Sequence, residues 1–156
     1  SLAMALRQAW PGSLVIGVDT HGAIESAIRL HAVDLGADDL TIAGEADVVV
    51  LAGGAAEAAR ASDHLADAIA GAATVFVLAA PEAARDATRA LPARFAVVAG
   101  VPSLPLRAAG IGAAHPQLFA GRPWPLHLVS GPAAALEQAQ ALVRAVGANA
   151  VIAGSG

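Results

Sequence analysis

The sequence predicts an α/β fold: Rossmann-like and doubly wound, with a mostly parallel sheet that lacks the usual first strand at the N-terminus. Short, continuous apolar runs recur along the chain, separated by segments whose apolar residues repeat at helical spacing; this alternation is the pattern of βαβ units. The runs show no in–out alternation, so they read as strands covered on both faces, as parallel strands are. Right-handed crossovers then put helices on both faces of a sheet. Composition agrees. The chain has 156 residues, 56% hydrophobic but only 3% aromatic, and 43 of them are alanine. Its core must therefore be built from small aliphatic side chains on closely packed elements.

Taken in order, Leu2, Leu6 and Ala9 share one face of a first helix. Pro11 and Gly12 separate it from a strand at 14–18 (LVIGV). Ile24, Ala27, Ile28 and His31 share a face of a second helix, and VVVLA at 48–52 is the next strand. A third helix presents Ala58, Ala61, Leu65 and Ile69. After the strand at 74–79 (TVFVLA), Pro81 stands before Glu82 at a first helical position, where its missing N–H does no harm. FAVVA at 95–99 is a strand. Residues 101–125 hold five of the nine prolines and little periodicity, and read as an ordered, irregular connection. A strand at 126–129 follows, and Gly131 and Pro132 open a last helix with Leu136, Ala139, Val143 and Val146 on one face. Gly147 suits its C-terminus, and 150–153 is the last strand. Residues 1–156 read as one domain.

One departure from the pattern stands out. A dinucleotide-binding domain opens strand, Gly-rich turn, helix, and that strand lies at the centre of the sheet. Here the first helix is present without the strand and its GxGxxG. The strands flanking such a gap expose edges that seek pairing, so a homo-oligomer is expected.

Charge and composition exclude other classes. All nine basic residues are Arg and the net charge is −4, with a pI near 5.6, which argues against a nucleic-acid partner. No apolar run reaches the ~18 residues of a membrane span without Gly, Pro or a charge inside it. The opening SLAMALRQAW has no basic cluster before an apolar core, so a cytoplasmic protein is expected. Cysteine is absent, which removes disulfides, thiolate metal sites and Cys nucleophiles.

Candidate site residues gather at strand ends. Asp19 ends VIGVD, where an acid can accept hydrogen bonds from both adenosine ribose hydroxyls and repel a 2′-phosphate. The alternative is that it caps the following helix, with Thr20 and His21 as neighbours. Ala52, Gly53 and Gly54 follow VVVLA and precede a helix. Backbone N–H groups at such a turn can approach a phosphate or ring closely, or the glycines serve only the tight turn. Of the five histidines, His31 lies on an apolar helix face, while Asp63 and His64 are helix neighbours whose side chains diverge. No two histidines have metal-ligand spacing. His115, in the irregular connection, is the best placed for chemistry. Ser103 and Ser130 lack a nucleophile-elbow context.

The chain resembles the nucleotide-binding domain of prephenate (or arogenate) dehydrogenases. SLAMALR at 1–7 is similar to the end of the family pattern GLGLIGGSLALALR. VIGVD at 15–19, AVDLGADDL at 32–40 and EADVVVLA at 45–52 follow in the family's order. AAHPQLFAGRPWPL at 113–126 resembles DLFxGRPWxL, and ALVRAVGANAVI at 141–152 resembles LxxxLGAxVV. The resemblance implies NAD(P)-dependent oxidative decarboxylation in tyrosine biosynthesis: hydride leaves the hydroxyl-bearing ring carbon, a His holds the hydroxyl proton, and loss of CO2 aromatises the ring.

Carried over residue by residue, the resemblance assigns the cofactor acid to Asp19. Thr20 follows it where NADP-preferring members have Arg, so NAD is the expected cofactor ahead of NADP. The family's D-x-G-S-x-K is replaced by LAAPEAAR at 78–85. Its GGHPMAGxExSG reads AGVPSLPLRAAG at 99–110: Gly100, Pro102 and Gly110 match, but the catalytic His position is Val101 and the acidic position is Arg107. An isopropyl group neither accepts nor donates a proton, so no catalytic residue is assigned and the family's mechanism should fail here. Three origins compete: a degenerate paralogue; a chain shortened at both ends, which accounts for the missing first strand but not for Val101 or the LAAPEAAR segment; or a permutation in which VIAGSG at 151–156 serves as the nucleotide-binding strand. The plain alternative makes 150–153 simply the last strand. Either the chain is an incomplete dinucleotide-binding oxidoreductase domain, or it is a non-catalytic scaffold, dimerisation or nucleotide-sensing domain.

Overall fold

The computed structural model describes residues 1–104 and 114–153. Its elements in chain order are α1 (Leu2–Ala9), β1 (Ile16–Val18), α2 (His21–Arg29), β2 (Leu35–Ala37), a 3-10 turn (Leu40–Ala43), β3 (Val48–Leu51) and α3 (Ala55–Ala68). They continue with β4 (Ala73–Val77), α4 (Pro81–Ala87), β5 (Phe95–Ala99), β6 (Pro123–Ser130), α5 (Ala133–Ala145) and β7 (Asn149–Ile152). The fold is α/β and Rossmann-like, as the sequence predicts, but the strands form two sheets. β1 pairs with β2 in parallel, and β3-β4-β5-β6-β7 form a separate five-stranded sheet. Within the latter, β3, β4 and β5 are parallel, β6 runs antiparallel to β5, and β7 is parallel to β6. No strand pairing joins β1 to β3 among the described residues.

Burial follows from this topology. β4 and β5 have partners on both edges and helices on both faces, and every residue of ATVFV and FAVVA is buried. β3 has an equally apolar sequence but, among the described residues, a partner on one edge only, and of its four residues only Leu51 is fully buried. β1 is shorter than the expected 14–18, and Leu14 is 63% exposed. A strand paired only with a three-residue neighbour has little sheet against which to bury itself. That neighbour, β2, is too short to show a period in the sequence.

Two apolar clusters sandwich the five-stranded sheet. On one face Phe76, Val98, Trp124 and Leu126 pack with Ala5 of α1 and with Ala139, Leu142 and Val143 of α5. Trp124 lies between Phe76 and Phe119, with ring centroids 5.7 and 5.2 Å away. On the other face Val75, Val77, Val97 and Ala99 pack with Ala58 and Leu65 of α3 and with Ala84 and Ala87 of α4. The predicted faces of α3 and α5 are therefore the buried ones. In α2 only Ile24 is buried; Ile28 is 48% exposed, and His31 lies beyond the helix end with φ 52°. The small β1–β2 pair offers α2 room for about one buried turn.

The irregular connection is shorter than the expected 101–125, because β6 begins at Pro123. Proline reads as a strand breaker since it cannot donate to the ladder. Here Pro123, Trp124, Pro125 and Leu126 register with β7, whereas the pairing to β5 involves His127, Leu128 and Ser130. The prolines thus sit in the half of β6 that does not pair with β5, and no ladder hydrogen bond on that side is lost.

Candidate functional site

In a parallel α/β sheet, loops at the carboxyl ends of the strands form the binding surface. Asp19 is the residue immediately after β1. Its backbone N–H donates to the carbonyl of Ala37 at 3.2 Å, which extends the β1–β2 ladder by one step and fixes where its side chain starts. Asp19 is exposed, and its Oδ1 accepts the neighbouring Thr20 N–H at 2.7 Å. The residue at the N-cap position of α2 is Thr20, whose side chain makes no capping hydrogen bond. Asp19 therefore does not cap the helix in the usual way, by accepting an N–H from within its first turn. His21 faces Glu25 at 3.3 Å on the exposed side of α2.

The turn after β3 requires glycine at one position. Gly54 is the N-cap residue of α3 at φ 86°, ψ 176°, a conformation almost confined to glycine. Gly53 leaves room for a neighbour: a Cβ there would stand 1.5 Å from Glu57 Oε2. The Glu57 carboxylate occupies the space over the turn, in the first turn of α3, where the helix dipole favours an anion. Sequence reasoning missed Glu57. Its signal was an acid in the first turn of a helix that opens with two glycines. Ala52 and Gly53 are exposed and Gly54 is half-buried. Asp19 and the Ala52, Gly53 and Gly54 turn thus stand at carboxyl ends of strands in different sheets.

At the end of β5, Gly100 donates its N–H to the carbonyl of Val77 at 3.1 Å. A Cβ on Gly100 would lie 2.5 Å from the Pro125 carbonyl oxygen and 3.1 Å from Trp124 Nε1, so the close approach of β6 demands glycine. Val101 follows and is 51% exposed. The Ser103 N–H donates to the Pro123 carbonyl at 3.2 Å. Arg107 and Gly110 lie outside the described residues, as does the Gly154 to Gly156 end of VIAGSG.

His115 is exposed; its backbone N–H donates to Ser1 Oγ at 3.3 Å, and its Nδ1 accepts the Gln117 N–H at 3.2 Å. The ring is therefore folded back on its own turn and, when neutral, carries its proton on Nε2. Asp63 and His64 are exposed on α3. After β2, Asp39 accepts the Thr41 N–H at 2.7 Å and also the Thr41 hydroxyl. These hydrogen bonds, the hydroxyl's first, hold its carboxyl below the usual range. Among the described residues no group of three or more His, Asp or Glu could hold a metal ion, and no helix is long and apolar enough to cross a membrane.

A mostly parallel α/β architecture, with an acid after one strand and a glycine turn after another, defines the class of Rossmann-type nucleotide-binding domains. Residues 2–152 match the family described as prephenate dehydrogenase, nucleotide-binding domain. The chain belongs to that family. No curated protein matches it in sequence. Among solved structures, prephenate dehydrogenase from Aquifex aeolicus superposes with a TM-score of 0.85 at 20% identity, covering 98% of this chain and 56% of that one. The A. aeolicus enzyme in complex with hydroxyphenyl propionate and NAD+ gives 0.85 at 20% identity, over 97% and 55%. Arogenate dehydrogenase from Synechocystis gives 0.80 at 22% identity, over 98% and 55%. The chain thus spans a little over half the length of these structures.

Proposed function

We infer that residues 1–156 form one nicotinamide-dinucleotide-binding domain of prephenate dehydrogenase type, cytoplasmic and homo-oligomeric, that prefers NAD to NADP and does not alone catalyse the family's oxidative decarboxylation. The family match over residues 2–152 carries this reading. The residues at the strand ends fit the cofactor. Asp19 is exposed and has an oxygen beyond the one engaged by Thr20, so it can accept from a ribose hydroxyl. Ala52, Gly53 and Gly54 bring backbone close to whatever lies over the turn, and the Glu57 carboxylate beside them favours hydroxyl donors over a phosphate. When bound, the nicotinamide ring supplies the hydride acceptor. The inactivity of the isolated chain rests on Val101, which cannot hold the hydroxyl proton of a cyclohexadienol substrate.

The second reading is a non-catalytic scaffold, dimerisation or nucleotide-sensing domain. It is favoured by the pairing among the described residues, in which β1 and β3 each have a strand partner on one edge only. Titration with NADH and NADPH, followed by nicotinamide fluorescence, separates the two. Saturable NADH binding near or below ~100 μM, tighter than NADPH, supports the first; no binding at millimolar cofactor leaves the second. Light scattering on the purified chain tests the oligomer in either case, and a clean monomer refutes it.

A further inference from the structure

A nicotinamide dinucleotide carries two ribose diols, and Asp19 can answer only one of them. The five-stranded sheet offers a carboxylate of its own. Glu57 lies in the first turn of α3, and its side chain folds back over the turn that follows β3. Its Oε2 occupies the place where a Cβ on Gly53 would stand. The carboxylate therefore rests against bare backbone at the carboxyl end of β3, on a residue that is itself exposed.

Glu57 is open to a ligand. Its side chain is 61% exposed, and its ionic neighbour is Arg60, whose guanidinium stands 4.0 Å from Oε1 and is 72% exposed. A pair so long and so wet contributes little, and it engages Oε1 rather than Oε2. Packing relates this acid to Asp19. The 3-10 turn Leu40–Ala43 packs against both β1 and α3, with Ala43 buried, so the end of β1 keeps a defined relation to the first turn of α3. An ionised carboxylate only accepts hydrogen bonds. Over the glycine turn it repels a phosphate and suits a pair of hydroxyls.

We propose that Glu57 is a specificity-determining residue: its carboxylate accepts the hydroxyls of the ribose on the nicotinamide side, while Asp19 accepts those of the adenosine ribose. The assignment rests on the dinucleotide-binding reading above. It matches two acids at two strand ends to the two diols of one ligand.

The sign of the effect makes the test. NADH is an anion, so removing a nearby negative charge should tighten its binding if Glu57 acts only through its field. Glu57→Gln, which keeps the size and loses the charge, should instead weaken NADH binding roughly 5- to 30-fold, read by nicotinamide fluorescence. Glu57→Asp, one methylene shorter, should fall between parent and Glu57→Gln. ADP has the adenosine ribose and no second ribose. By calorimetry it should bind Glu57→Gln as it binds the parent, and Asp19→Ala more weakly. Circular dichroism should stay native-like in all three variants, since both side chains are exposed. Equal or tighter NADH binding by Glu57→Gln overturns the proposal, as does an equal loss of ADP affinity. Both results leave the dinucleotide reading standing. A parent that binds neither NADH nor ADP sinks that reading, and the proposal with it.

Discussion

Asp19→Ala is the sharpest probe of the candidate site. A ribose diol donates two hydrogen bonds to a carboxylate, and a hydrogen bond to a charged group contributes about 1.5–3 kcal/mol. Asp19 is exposed and already engages the Thr20 N–H through Oδ1, so water competes for it and the pair together is worth only about one such bond. The expected loss is therefore about 1.5–3 kcal/mol, a roughly 10- to 150-fold rise in the NADH dissociation constant. NADPH should respond in the opposite sense or hardly at all, because the same carboxylate repels its 2′-phosphate. Stability should change by no more than about 0.5 kcal/mol, since the exposed Thr20 N–H can turn to water. Fluorescence titrations of parent and variant with both cofactors, paired with thermal melts, make the test. Equal NADH affinity in the two proteins, with the fold intact, would refute the assignment of Asp19 and with it the expected preference for NAD.

Gly100→Ala should destabilise the chain by about 1–3 kcal/mol, because its Cβ would stand 2.5 Å from the Pro125 carbonyl oxygen; an unchanged urea midpoint would show that β6 yields easily there. Ser62 is 2% exposed and its Oγ has no hydrogen-bond partner among the described residues, so Ser62→Ala should stabilise by about 1 kcal/mol, and a lowered melting temperature would mean that the hydroxyl is satisfied in solution. The Thr41 hydrogen bonds lower the Asp39 pKa in the fold. The stabilisation they give is full above the unfolded-state value of about 3.9 and is lost as pH falls through the lower folded value. Asp39→Asn should therefore narrow the gap in stability between pH 7 and about pH 2, measured by denaturant titration, and an equal gap would rule out the contribution.

Much of the fold was legible because the chain writes its central strands plainly. TVFVLA and FAVVA are apolar without interruption and became β4 and β5, buried along their whole length. In the stripes Ala58–Ala61–Leu65–Ile69 and Leu136–Ala139–Val143–Val146 all residues but the half-buried Ala61 and Leu136 are buried, close to what periodicity foretold. What failed was legibility of context. VVVL reads like a central strand, and only pairing reveals that β3 lies at a sheet edge. LGA is too short to read as a strand at all. Pro123 and Pro125 looked like breakers because a sequence does not say which edge of a strand will be paired.

The site divides in the same way. Asp19 and the glycine turn could be placed because both follow apolar runs at strand ends, where backbone direction alone decides where a residue lands. Glu57 could not, because its claim on the turn comes from a side chain folding back over Gly53, and that depends on a glycine having no Cβ. Arg7 is a stronger case: its guanidinium pairs with Asp34 Oδ1 at 2.7 Å, yet in the sequence it stands near the end of an apolar helix and nothing nearby marks Asp34, 27 positions on, as its partner.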